Sequence, residues 1–323
     1  MPDKDTSENS VPAISVIIPA YKAATHIGSA LDSVFAQTFT DFEAILVNDG
    51  SPDSKEMESV IAPYLPRITY LKQPNQGPSA ARNLGIRHAR GAFLAFLDAD
   101  DTWLPEYLAQ QMLFLQSDSS LHMVYSDALF LGDTPSSGKT FMELCPSTGP
   151  VTFESLLTEQ TQVITSGTVV RRQAVIDAGG FDENFRCAED HDLWLRLAYR
   201  GCRIAYQRRA LVHHLIRPDS QGSPPGSLIA GEVAVLKKIE REFQLDSNVR
   251  SLMAEKLRNA EFLLAWTYGK NSLFAGDHQA AYKFFLQAKA LASTPKLRAL
   301  LLSLRIAPRL TASGAKAWAR LSR

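Results

Sequence analysis

The sequence predicts an α/β fold: a mixed, mostly parallel sheet flanked by helices and followed by an all-helical C-terminal extension. Three observations predict it. From residue 14 to 97, short apolar runs alternate with longer amphipathic stretches, the βαβαβαβ rhythm of parallel strands joined by crossovers. Each of those runs stops at residues unsuited to extending a strand. Beyond a segment rich in Pro, Gly and Ser at 217–227, apolar residues recur at helical spacing.

Taken in order, strands are expected at 14–18, 44–47, 68–71 and 93–97, with crossover helices at 25–37, 53–64 and 78–90. A second block, 121–216, has apolar runs at 123–131, 163–170, 204–206 and 211–216 and a helix over 190–200, which reads as α+β material completing the same sheet. Helices at 228–243, 249–268, 278–292 and 295–306 follow, with Gly276 and Pro295 as stops. The organisation expected is therefore a disordered leader at 1–12, an α/β domain at 13–220, a linker at 221–227 and the helical extension at 228–323.

Composition narrows the class. Of 323 residues, 45% are hydrophobic and 21% charged, which supplies a large core and argues against disorder. No run reaches the roughly 18 apolar residues of a membrane span, and the polar start of the chain lacks the apolar segment of a signal peptide, so a cytoplasmic location is expected. Cys145, Cys187 and Cys202 are an odd set at irregular spacings, unlike a disulfide framework or a CxxC metal site. Nine of the 34 Lys and Arg follow Asp277 and none of the 34 Asp and Glu do. Such a basic, amphipathic end suits peripheral contact with an anionic inner leaflet, or equally a helix whose apolar stripe packs inward. No nucleic-acid partner is expected.

Ligands bind open α/β sheets at the carboxyl ends of the strands. There the sequence places Pro19-Ala20-Tyr21, Asn48-Asp49-Gly50-Ser51, Gln73-Pro74-Asn75-Gln76-Gly77 and Asp98-Ala99-Asp100-Asp101. Alternate residues of an extended chain face the same way, so Asp98 and Asp100 can converge on one point, where a bound divalent cation removes their mutual repulsion. Oxygen donors suit Mn²⁺ or Mg²⁺. The competing reading is an Asp cluster capping a helix that begins near Pro105, through Asp101 or Thr102. Asp49 can accept hydrogen bonds from a nucleobase or ribose while Gly50 turns the backbone beside it; the plainer account is an Asp-Gly turn with Ser51 or Asp53 as a cap. In Glu189-Asp190-His191-Asp192, four titratable residues at a helix start exceed what capping requires, and one is positioned to act as a general base.

Ser15-Val16-Ile17-Ile18-Pro19-Ala20-Tyr21, Val47-Asn48-Asp49-Gly50-Ser51, Asn75-Gln76-Gly77-Pro78-Ser79-Ala80-Ala81-Arg82-Asn83-Leu84-Gly85, Phe96-Leu97-Asp98-Ala99-Asp100-Asp101, Gly179-Gly180-Phe181-Asp182-Glu183 and Glu189-Asp190 occur in this order. In that arrangement the chain resembles the family 2 glycosyltransferases, with their GT-A type, Rossmann-like sheet. The resemblance implies an inverting transfer from a nucleotide-diphosphate sugar, uridine first, to a hydroxyl of a glycan or lipid-linked acceptor in cell-surface polysaccharide synthesis. It implies donor contacts from Pro19, Ala20, Tyr21, Asp49, Gly50, Lys72, Gly77, Arg82, Asp98 and Ala99. It also implies Asp98 and Asp100 at the metal and Asp190 as base, with Glu189 the alternative. His213, His214 and Arg217 are candidate phosphate or metal contacts, His214 the candidate third ligand. Gly167, Trp103, Phe181 and the loop 134–150 are candidates for the acceptor side, Trp103 either stacking on a sugar or anchoring the next helix.

Two other readings compete. An inactive domain with a partner-binding helical tail conflicts with the intact Asp98, Asp100 and Asp190. A dinucleotide-dependent oxidoreductase needs G-x-G-x-x-G after the first strand, where this chain has Pro19-Ala20-Tyr21-Lys22-Ala23-Ala24.

Overall fold

The computed structural model describes residues 11–217 and 226–311. The leader expected at 1–12 and the linker expected at 221–227 lie almost wholly outside the described residues, as does the chain beyond 311. The chain divides into two compact units, Met1–Pro218 and Asp219–Arg323.

The first unit opens with β1 (Ile14–Ala20), α1 (Ile27–Phe35), β2 (Phe42–Asp49), α2 (Ser54–Ile61), β3 (Ile68–Gln73), α3 (Pro78–His88) and β4 (Phe93–Phe96). β5 (Thr102–Trp103), α4 (Tyr107–Ser117), β6 (Leu121–Leu131), α5 (Phe141–Leu144), α6 (Phe153–Leu157), β7 (Thr168–Arg171), α7 (Arg172–Asp177), α8 (Glu189–Tyr199) and β8 (Arg203–Leu215) complete it. The strands form one sheet in the order β3-β2-β1-β4-β7-β6-β8-β5. β1 is parallel to β2 and β4, and β2 to β3; β7 runs antiparallel to both β4 and β6, so the sheet is mixed as expected. Ile14, Val16, Ile17 and Ile18 on β1 and Ile45, Leu46 and Val47 on β2 are fully buried. Continuous burial is the signature of central strands covered on both faces.

The reversal of β7 positions the site. Because Ala95 pairs with Val169, the start of β7 lies beside the end of β4. The turn before β7, Thr165–Gly167, therefore sits on the edge where β1, β2, β3 and β4 deliver their carboxyl ends.

Three expectations are corrected. The runs at 204–206 and 211–216 are one strand, β8, parallel to β6 with register shifts around Asp127. Residues 165–167 are a 3-10 turn rather than strand, closed by the Thr168 amide on the Thr165 carbonyl. The helix expected near Pro105 starts at Tyr107 with no side-chain cap; Thr102 and Trp103 are drawn into pairing with Val212 and His213.

The second unit has α9 (Ser227–Glu242), α10 (Ser247–Ala275), α11 (His278–Leu291) and α12 (Pro295–Ile306). Its caps are readable locally: Asp246 accepts from the amides of Asn248 and Val249, Asp277 from that of Ala280, and Thr294 from that of Leu297, with Pro295 in the first turn of α12. Ala265, Leu273, Ala281, Phe285, Ala288, Leu297, Leu301 and Leu304 form its core. Gly269 lets α10 approach α11 closely, since an added Cβ would stand 2.7 Å from the Phe285 ring. We expect Gly269→Leu to destabilise the helical unit by about 1–3 kcal/mol through overpacking. Amide hydrogen exchange over α10 and α11 checks it: protection should fall in both helices, and unchanged protection refutes the close packing.

Candidate functional site

At the nucleotide-side loops, the Asp49 carboxylate is 4% exposed and accepts from Gln73 Nε2 (2.7 Å), the Gln76 amide (2.9 Å) and the Gly77 amide (2.8 Å). It thereby shapes the turn that starts α3. Gly50 adopts φ +61°, and a Cβ there would lie 2.5 Å from the Asn75 amide nitrogen, so the loops after β2 and β3 are pressed together at a position only glycine fits. Ser51 and Asp53 do not cap α2. Ser51 Oγ accepts from the Lys22 amide and Asp53 from the Ala24 amide, which ties the loop after β1 to the loop after β2. Pro19 and Ala20 end β1, and Tyr21 stands 45% exposed beyond them.

The carboxylates after β4 are each paired with a cation. Arg82 Nη2 donates to Asp98 (2.7 Å), Arg217 Nε to Asp100 (2.9 Å), and His214 Nδ1 lies 2.9 Å from Asp101. Asp101 also accepts from the Leu215 amide, so it clasps β8 and caps no helix. Ala99 is buried between them. Burial, then the charges of Asp101 and Asp98, push the Asp100 carboxyl above the ordinary range, against the pull of Arg217. Burial opposes charge on His214, but the Asp101 hydrogen bond and the neighbouring Asp98 and Asp100 outweigh it and raise its pKa to about 9. His214 is therefore an imidazolium at neutral pH. To bind a metal through Nε2 it must release the proton there, while Nδ1–H can stay on Asp101.

Arg82 joins the two halves of the edge. Its side chain is 5% exposed; Nη1 donates to Glu189 (2.7 Å) while Nη2 holds Asp98, and the guanidinium lies 5.3 Å from the Phe181 ring centre. The guanidinium therefore lies beneath the edge instead of facing it. Glu189 is buried under this pair; desolvation raises its carboxyl more than Arg82 lowers it. Asp190, next along α8, is half-buried and accepts on both oxygens: from Thr165 Oγ1 (2.6 Å) and from the His191 amide (2.8 Å). α8 begins with Ala188 at φ +60°, a left-handed backbone in place of a side-chain cap. Asp192 is structural, sealed in a pair with Arg196, whose Nη1 also donates to the Ala178 carbonyl.

The turn Thr165–Gly167 is the element that sequence reading missed, apart from naming Gly167. Thr165 holds the Asp190 carboxylate, and Ser166 Oγ accepts from the Asp98 amide (3.1 Å), so neighbouring hydroxyls of one buried turn anchor the side chain of one acid and the backbone of the other. Its signal was present as Thr165-Ser166-Gly167, two adjacent hydroxyl residues and a glycine interrupting the apolar run 163–170. Three residues expected toward an acceptor are interior. Trp103 is 3% exposed, stacks on Tyr107 at 4.3 Å and donates to the Ser166 carbonyl; Phe181 packs edge-on against Phe96; Gly167 is buried. Lys72 pairs with Glu58 of α2 at 2.5 Å and is 59% exposed, away from the carboxylates.

Among the described residues no three His, Cys, Asp or Glu side chains form a metal cage. A hard divalent ion on a diphosphate needs only one or two protein carboxylates, its other positions being water and phosphate oxygens. The neighbouring oxygen donors of Asp98 and Asp100, the latter with its carboxyl raised by burial and then by like charge, fit such an ion.

Comparison with known proteins identifies a family and a shared fold. Residues 15–175 match the family model described as glycosyl transferase family 2. The chain is 32% identical over 197 residues to an uncharacterized glycosyltransferase of Rickettsia conorii, covering 58% of this chain and 30% of the relative. The alignments span about a third of the length of the first rickettsial relatives. In fold the chain is similar to S. aureus TarS solved with UDP-GlcNAc (TM-score 0.62, 19% identity, 96% of this chain and 92% of that one). It is also similar to the mannosyltransferase PcManGT of Pyrobaculum calidifontis solved with GDP-Man and Mn²⁺ (TM-score 0.60, 18% identity, 95% and 85%). At these identities the likeness is one of fold.

Replacing Arg82 by Met strands the buried Glu189 carboxylate and removes the partner of the half-buried Asp98, and we expect a loss of about 3–5 kcal/mol in urea unfolding. Adding Glu189→Gln should recover part of it, because the two changes share one pair. Removing Lys72 should leave the unfolding midpoint in place. An Arg82→Met protein as stable as the parent would refute the clamp.

Proposed function

Because the chain belongs to the family 2 glycosyltransferases, we propose that it transfers a sugar from a nucleoside diphosphate to an acceptor hydroxyl with inversion, and that uridine diphosphate carries the sugar. One observation supports the reading: a single buried turn holds the Asp98 amide and the Asp190 carboxylate at the same sheet edge, and we assign Asp98 to the donor and Asp190 to the acceptor.

The roles follow from the charges. Asp49, Gly50 and Gly77, with the end of β1 at Pro19, Ala20 and Tyr21, form the nucleoside wall. Asp98 and Asp100 would hold Mn²⁺ or Mg²⁺, which supplies Lewis-acid stabilisation of the leaving diphosphate when bound. Arg217 on Asp100 and protonated His214 on Asp101 place positive charge beside the metal-holding carboxylates, where the diphosphate's charge would fall. Asp190 takes the proton from the attacking hydroxyl. Thr165 and the His191 amide fix both of its oxygens, which orients the remaining lone pairs. Glu189 is committed to Arg82 and serves to position, which separates the two acidic neighbours into one base and one anchor. The acceptor class we assign is a glycan or lipid-linked hydroxyl in cell-surface polysaccharide synthesis, in keeping with the basic C-terminal helices.

Calorimetric titration with uridine, guanosine and thymidine diphosphates, with Mn²⁺ and then with a chelator, tests the donor site. We expect uridine diphosphate to bind in a metal-dependent way, and Asp100→Ala to weaken that binding. Failure of every nucleotide to bind would instead favour an inactive domain with a partner-binding tail. For the base, Asp190→Asn should reduce turnover by about 10²–10⁴-fold while leaving donor affinity nearly unchanged. Thr165→Val should lower kcat without raising the donor KM, and Thr165→Ser should restore it. Near-normal turnover of Asp190→Asn would place the base elsewhere.

A further inference from the structure

α12 has two apolar faces. Leu297, Leu301 and Leu304 fall within about 60° of one another around the helix and are buried in the core of the helical unit. Leu302 and Ile306 project from the opposite side and are 59% and 73% exposed; Leu310, just past the helix end, is 76% exposed. The outward face is bordered by the exposed Arg298 and Arg305 on one side and the exposed Lys296 on the other. No acidic residue follows Asp277 anywhere in the sequence, so nothing nearby along the chain offsets these cations.

The pattern has a physical meaning. A face that only needed solubility would carry polar residues opposite the core stripe, and a face that met another protein's apolar groove would not require cations along both borders. Aliphatic side chains on the outer line with basic groups at the flanks match a helix lying in an interface, where the aliphatic groups enter the acyl boundary and the long basic side chains reach back to anionic headgroups. No helix among the described residues is long and apolar enough to cross a membrane, so the contact is a surface one.

We infer that the outer face of α12 docks this chain onto an anionic lipid surface, through Leu302, Ile306 and Leu310 with Lys296, Arg298 and Arg305 at the phosphates. The inference concerns the helical unit and does not rest on sugar transfer, so either can fail alone.

The test is flotation of the full chain with phosphatidylglycerol vesicles and, separately, with phosphatidylcholine vesicles. We expect binding to the anionic vesicles only, weakening as salt rises. Replacing Leu302, Ile306 and Leu310 together by Ser should reduce the bound fraction by about tenfold or more, since each buried aliphatic group contributes to partition. Arg298→Glu with Arg305→Glu should give a similar loss with the apolar face intact, and circular dichroism melts should match the parent for both variants. Binding that ignores the triple Ser change, or no binding at all, overturns the inference. So does light scattering that shows the triple change splitting a dimer, which would make a second copy the occupant.

Discussion

The edge depends on one buried cation. Arg82 is shut off from solvent and satisfies two carboxylates contributed by segments 107 and 16 residues away, Glu189 at the start of α8 and Asp98 after β4. Taking Arg82 and Glu189 out of water, with Asp98 half-buried beside them, costs far more than a surface pair returns, so the arrangement persists only because the guanidinium answers both acids in good geometry. The consequence is mechanical as well as electrostatic. α3, the end of β4 and α8 cannot shift independently without exposing an uncompensated charge in a low-dielectric place. Burial works against charge on both groups: at Arg82 the acidic partners outweigh it and the guanidinium is raised, whereas at Glu189 it outweighs the pull of Arg82 and the carboxyl is raised.

Around that clamp the remaining acids sort by accessibility. Asp192 is sealed against Arg196, Glu189 lies under Arg82, and Asp101 is fastened to β8; Asp190 and Asp100 retain exposure to the edge. A row of acids that looks uniform in sequence is divided by the fold into scaffolding and surface chemistry. The division comes from which cation each one meets.

Much of the fold was legible because periodicity and turn residues are local. β1 to β4 and their crossovers appear within a few residues of expectation, and α12 runs over 295–306 as read. What escaped was long-range. β5 is two residues long and exists only because β8 lies beside it. β8 was split in two because the polar stretch Gln207-Arg208-Arg209 breaks its apolar run near the irregular register opposite Asp127. The carboxylates of the site could be named from their spacing, whereas their partners could not, since no local pattern says that Arg82 reaches Glu189 or that Thr165 reaches Asp190. Trp103 shows the opposite error: a large aromatic beside an acidic motif looks like a ligand platform, yet a stacking partner and a carbonyl acceptor inside the core claim it.

The turn at 165–167 acts as a gauge. Adjacent hydroxyls on a single buried peptide segment hold the amide of Asp98 and the carboxylate of Asp190, so the gap between those two groups is set by one backbone unit. Divergence among related sequences cannot widen that gap by drifting a side chain here or there; it has to replace the gauge outright or leave it alone. Variation in what the edge accommodates is thus channelled to the padding around it, above all to the loop 134–150, in which no residue is buried.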